Sequence, residues 1–75
     1  MFKVGIVTLS DRCFQGLAVD QSGPLIREQL PVLYQVTKQT ILPDEENQLV
    51  ELLLEWSKTC DLILTTGGTG LSERD

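Results

Sequence analysis

Seventy-five residues make at most one small domain, and a chain of about 60 residues buries only about 60% of its extended-chain surface, so the core is slender unless a partner or staple adds to it. A net charge of −5, with six Lys plus Arg scattered singly among eleven Asp plus Glu, argues against a nucleic-acid partner, which needs a basic face to displace counterions. No apolar run reaches about 18 residues, so no membrane-spanning helix is expected, and two widely spaced cysteines (Cys13 and Cys60) without any histidine make neither a disulfide scaffold nor a zinc site.

The chain begins Met-Phe-Lys-Val and enters a strand pattern at once. It shows no apolar segment followed by a small-residue cleavage site, so no signal peptide is expected and the cytoplasm is the default location. Phe2–Leu9 is short, apolar and rich in β-branched residues, which suits a strand buried on both faces as in parallel sheets. Ser10, Asp11 and Arg12 at its end either turn the chain or line a site. Residues 15–23 read as a loop. Ser22-Gly23-Pro24 opens a helix, with Ser22 accepting from a first-turn N–H and Pro24 at an early position where its missing N–H costs nothing. Leu25, Ile26, Gln29 and Leu30 form one face, Arg27 and Glu28 point outward, and Pro31 ends the helix.

Residues 33–42 alternate loosely and carry Tyr34, Val36 and Thr37, a second strand. The run Pro43-Asp44-Glu45-Glu46-Asn47 starts a helix, its acidic residues complementing the dipole. Leu49, Leu52, Leu53 and Trp56 follow at i, i+3, i+4 and i+7, one apolar stripe. Residues 57–61 turn the chain into a third strand, residues 62–66, and Cys60 beside it reads as a small core residue. Strands alternating with helices imply parallel strands joined by right-handed crossovers, a three-layer α/β unit of order βαβαβ.

All three predicted strands end in polar groups, and in a parallel sheet those ends share one rim. There, open α/β sheets bind ligands. The third strand runs into Thr65-Thr66-Gly67-Gly68-Thr69-Gly70, where glycines reach φ > 0 and let backbone N–H groups approach an anion. The run matches neither G-x-x-x-x-G-K-[ST] nor a strict G-x-G-x-x-G, and by itself a tight turn explains it about as well as a phosphate loop. Asp44 reads alone as a helix N-cap, and Asp75 and Arg74 as solvated charges. Together, two rim carboxylates beside a phosphate loop suit Mg²⁺, which takes one or two carboxylates plus substrate phosphates. Phosphoryl or nucleotidyl transfer needs mainly such positioning and charge neutralisation. There is no Ser–His–Asp set.

These residues resemble a known family. Thr65 to Gly70 followed by Arg74-Asp75 resembles the T-T-G-G-T-G-x-x-x-R-D signature of the MogA/MoaB/gephyrin G-domain proteins of molybdenum-cofactor biosynthesis. Val4 to Asp11 is similar to their first strand and its S-D end, Ala18 to Gly23 to their A-x-D-x-S-G turn, and Leu42 to Glu45 to their P-D-E. Order and spacing agree over essentially all 75 residues. Leu71-Ser72-Glu73 stands where F-A-P is more usual.

The resemblance implies a molybdopterin adenylyltransferase: ATP and molybdopterin react with Mg²⁺ to give adenylyl-molybdopterin and pyrophosphate. It implies Asp44 and Asp75 as the catalytic, Mg²⁺-associated carboxylates. Thr66, Gly67, Gly68, Thr69 and Gly70 fall on the phosphate loop, and Ser10 and Asp11 on the rim. Asp20, Ser22 and Gly23 fall on a turn that supports the site or touches substrate. Complete family domains are typically homotrimers. They continue past R-D with about as many residues again, so residues 1–75 read as the N-terminal half of the domain, expected to show little activity alone. Two other readings stand beside this one. One is a non-catalytic molybdopterin-binding or scaffold module of the gephyrin type. The other is a relative in pyridine-nucleotide salvage or molybdenum insertion, less favoured because those carry different glycine loops.

Overall fold

The computed structural model describes residues 1–67. Their order is β1 (Phe2–Leu9), α1 (Asp11–Phe14), α2 (Ser22–Gln29), β2 (Tyr34–Leu42), α3 (Glu46–Trp56) and β3 (Leu62–Gly67). The strands form one parallel sheet in the order β2-β1-β3. This is the expected α/β unit of order βαβαβ.

Strand alternation assigns the two faces of the sheet. On one face, Gly23 of α2 lies against Thr8 and Gln39. On the other, Trp56 of α3 lies against Gly5. Strand β1 is therefore walled by strands on both edges and by helices on both faces. Val4, Ile6 and Val7 have no exposed surface and Thr8 only 3%. That position explains the uninterrupted apolar run of β1, where a half-exposed strand would alternate.

Strand β2 departs from simple alternation for a local reason. Val4 is paired with Val36, yet Gly5 is paired with Lys38, so β2 carries one extra residue at Thr37. The insertion turns Lys38 onto the α3 face, with its Nζ 5.9 Å from the centroid of the Trp56 ring, and Gln39 onto the α2 face, where Oε1 accepts from the Arg27 guanidinium at 3.2 Å. At the start of the sheet the Phe2 and Tyr34 rings stack at 5.4 Å.

The helices correct the sequence reading in three places. First, the segment after Ser10, for which no helix was expected, forms a short one, α1. Ser10 caps this one-turn helix, its Oγ accepting from the Cys13 N–H at 3.2 Å. Second, Ser22 is not the cap of α2. The cap comes from Asp20, whose Oδ1 accepts from the N–H groups of Ser22 (3.2 Å) and Gly23 (3.1 Å). The other oxygen of Asp20 accepts from the Thr8 hydroxyl at 2.8 Å, which pins the helix start to β1. Leu25, expected on the packed face, is 53% exposed; Gly23, Ile26 and Leu30 are the covered positions. Third, α3 begins at Glu46 with Glu45 as its cap residue, so Asp44 stands outside the helix and is not its N-cap.

The apolar stripe of α3 is as expected. Leu49, Leu52, Leu53 and Trp56 are all partly covered, whereas Val50 and Leu54 are exposed. Cys60, half-buried, packs near Gly5, and both cysteines are free thiols. The start of β3 is tied to β1 twice: Asp61 N–H donates to the Lys3 carbonyl, and Lys3 N–H to the Asp61 carboxylate, both at 2.7 Å. Among the described residues no helix is long and apolar enough to cross a membrane.

Replacing Asp20 by alanine removes the cap of α2 and leaves the Thr8 hydroxyl, almost wholly buried, without its acceptor. A lost cap is worth about 1 kcal/mol and an orphaned buried donor about 1–3 kcal/mol, so Asp20→Ala should destabilise by about 2–4 kcal/mol. The urea midpoint measures this. A shift no larger than that of an exposed alanine substitution, such as Glu28→Ala on α2, would contradict the double role of Asp20.

Candidate functional site

The strands end level with one another. Leu9 pairs with Leu42 on one side and with Gly67 on the other, so the loops that follow leave from a common rim. Beyond that rim, Leu9, Ser10, Asp11, Arg12 and Asp44 line an open cleft of about 190 Å³. Residues bearing two carboxylates and one guanidinium thus line one cleft, from chain segments that are far apart in sequence.

The local geometry follows from the backbone. Ser10 N–H donates to the Leu42 carbonyl at 2.9 Å, holding the end of β1 to the end of β2. Pro43 then cannot donate, and the Glu45 N–H closes a tight turn on the Pro43 carbonyl at 2.7 Å. Asp44 sits at the apex of this turn, exposed. Its N–H donates to Asp11 Oδ1 at 2.9 Å across a sequence separation of 33 residues.

Gly67 closes the other side of the rim with φ +85°, as a glycine turn requires. A Cβ there would overlap the carbonyl oxygen of Leu9. Thr66 is half-buried and paired with Thr8, which places both on the α2 face of the sheet. Asp20, Ser22 and Gly23 are drawn to that same face by the Thr8–Asp20 bond and do not line the cleft. Both carboxylate oxygens of Asp20 accept bonds from within the chain. The remaining expected residues, Gly68, Thr69, Gly70 and Asp75 with Arg74, lie outside the described residues.

Ser10, Asp11 and Arg12 line the cleft, one of the two readings that the sequence left open, whereas sequence reasoning missed two participants: Thr8 as the partner of Asp20 and Asp11 as the acceptor for Asp44. The two hydrogen bonds carried no signal, because each joins residues that only the fold brings together. Among the described residues no group of three or more side chains has the disposition of a metal cage.

Residues 5–75 match the family described as "Probable molybdopterin binding domain". The chain belongs to this family. It is 41% identical over 75 residues to a molybdopterin adenylyltransferase of Pyrococcus furiosus, covering 99% of this chain and 44% of that protein. It is 39% identical over 84 residues to gephyrin of Dictyostelium discoideum, covering 96% of this chain and 12% of gephyrin. The crystal structure of the molybdopterin biosynthesis enzyme MoaB from Thermus thermophilus superposes with a TM-score of 0.87 at 42% identity, over 99% of this chain and 48% of that one. The chain thus spans less than half the length of these relatives.

Proposed function

We propose that this chain supplies the nucleotide-facing rim of a molybdopterin adenylyltransferase in molybdenum-cofactor biosynthesis. The observation that carries the reading is the cleft at the level strand ends, which joins Asp44, Asp11 and Arg12 next to the first glycine of the phosphate loop. The likeness to relatives that carry this activity in their names supports it. In the reaction the terminal phosphate oxygen of molybdopterin attacks the α-phosphorus of ATP, the α–β bridging bond breaks, and pyrophosphate leaves. Glycines 67, 68 and 70, with Thr66, Thr69 and Ser10, bind the nucleotide phosphates; Asp11 lies at the same rim. Asp44 and Asp75 would hold Mg²⁺, which would supply neutralisation of the charge on the phosphates. Asp20, Ser22 and Gly23 support the rim from the α2 side. The complete domain works as a cytoplasmic homotrimer, with no nucleic acid or membrane as partner.

The test is formation of adenylyl-molybdopterin from Mg-ATP and molybdopterin by a protein carrying this sequence together with the second half of the family domain. Asp44→Ala and Asp75→Ala should each lower kcat by about 10²–10³, the usual loss when one electrostatic stabiliser is removed. Unchanged turnover in both would refute the assignment. The likeness to gephyrin favours a second reading, a binding or scaffold module without catalysis. That module would bind molybdopterin and leave ATP intact in the same assay.

A further inference from the structure

Asp44 is set in place by its backbone, and the side chain that fixes that backbone is Asp11. We propose that Asp11 is a positioning residue: its carboxylate holds the Asp44 main chain so that the Asp44 carboxylate stays at the cleft. The proposal rests on the nucleotide reading of that cleft given above.

Three constraints converge on the tip of the loop after β2. The Ser10 N–H holds the Leu42 carbonyl at 2.9 Å. The Pro43 carbonyl accepts the Glu45 N–H at 2.7 Å, making a turn with Asp44 as its central residue. Asp11 Oδ1 takes the Asp44 N–H at 2.9 Å. The first two fix the base and the shape of the turn. Only the third ties its apex to another element. Without it the exposed apex can swing on the Leu42–Pro43 stem, and a carboxylate that must stay at one spot near a cation would sample many.

Asp11 is well placed to serve as the anchor. It is the first residue of α1, immediately after the Ser10 cap, and its carbonyl accepts the Gln15 N–H at 3.0 Å. The main chain of Asp11 is thereby fixed from both sides, and its side chain spans from the end of β1 to the end of β2. A bond from a backbone N–H to an ionised carboxylate is also stronger than one to a neutral acceptor. Two other roles fit the same location. Asp11 could be only an acidic residue favouring the first turn of α1, or it could itself contact the ligand. The three roles differ in what an asparagine at the position preserves. Asparagine keeps the Oδ1 acceptor for Asp44 and loses the charge.

The experiment uses a protein carrying residues 1–75 together with the second half of the family domain, and its Asp11→Ala, Asp11→Asn and Asp44→Ala variants. Amide hydrogen exchange is followed by NMR at Asp44, with the amides of Val4 and Ile6 reporting that the sheet remains folded. Mg-ATP affinity is measured by titration on the same samples. Asp11→Ala should speed exchange at Asp44 about tenfold, the value of one charge-assisted hydrogen bond, and weaken Mg-ATP about as much as Asp44→Ala does. Asp11→Asn should restore both to within about threefold of the parent, since it keeps the acceptor. Exchange at Asp44 unchanged in Asp11→Ala would overturn the proposal. So would Asp11→Asn that protects the Asp44 amide but binds Mg-ATP as poorly as Asp11→Ala, because Asp11 would then be a ligand contact. Failure of the parent protein, with both halves of the domain present, to bind Mg-ATP would overturn the nucleotide reading and the role of Asp11 within it. The exchange data would in that case still report whether the anchor exists.

Discussion

Gly67→Ala should remove about 2–5 kcal/mol of stability, a large part of the total for this chain. Two independent costs meet at this residue. Its φ of +85° lies in the left-handed region, which costs an alanine about 1–2 kcal/mol. Its Cβ would also collide with the Leu9 carbonyl oxygen, with the Leu9 carbonyl carbon at 3.1 Å and its nitrogen at 3.2 Å. These are backbone atoms of the central strand and cannot rotate away, so relief requires strand movement at about 1–3 kcal/mol. Folded domains hold roughly 0.05–0.15 kcal/mol per residue, so the variant is left near its threshold. Gly16→Ala separates the two costs. Gly16 has φ +81° with no atom of the described residues within 4 Å of a Cβ, and so bears the conformational term alone. Urea midpoints of the two variants should differ clearly. Equal midpoints would show that the contact with Leu9 is relieved without cost. A practical point follows for the site: a loss of nucleotide binding in Gly67→Ala does not by itself reveal phosphate contact, because the glycine is required by the sheet end it closes.

Elements that one segment specifies by itself were legible in the sequence. The apolar run of β1 announced a strand buried on both faces, and the spacing of Leu49, Leu52, Leu53 and Trp56 announced the covered face of α3. Alternation of strands and helices then implied a parallel sheet with its polar ends on one rim, and β1, β2 and β3 do end level. What stayed hidden depends on partners distant in sequence. Ser22 has the chemistry of a cap, but Asp20 wins because Thr8 offers its carboxylate a second bond on the neighbouring strand. Asp44 has the chemistry of a cap too, yet it is the central residue of the Pro43–Glu45 turn, anchored by Asp11, and the helix starts two residues later. The extra residue in β2 brings Lys38 to the ring of Trp56, and no local pattern in residues 33–42 signals it. The family resemblance rested on motifs at strand ends, and the match over residues 5–75 bears it out.

The second large effect is expected at Gly5, in the middle of β1 where β-branched residues would ordinarily be favoured. Strand propensity predicts that replacing this glycine helps, by up to about 1 kcal/mol. Packing predicts the opposite. A Cβ on Gly5 would stand 2.5 Å and 2.7 Å from two carbons of the Trp56 ring and 3.3 Å from the Cys60 sulfur. Strand β1 is paired on both edges and cannot move aside, so the ring must leave. Overpacking of this kind costs about 1–3 kcal/mol or more, and it outweighs the propensity gain. Gly5→Ala should therefore destabilise by about 2 kcal/mol and Gly5→Val by more. Trp56 is the only tryptophan, so its emission should shift to longer wavelength as the ring moves into water and away from Lys38. A double-mutant cycle isolates the cause. In a Trp56→Ala background the obstructing ring is gone, and Gly5→Ala should become neutral or stabilising as strand propensity takes over. If Gly5→Ala costs the same with and without the indole, close approach of α3 is not why this strand carries a glycine.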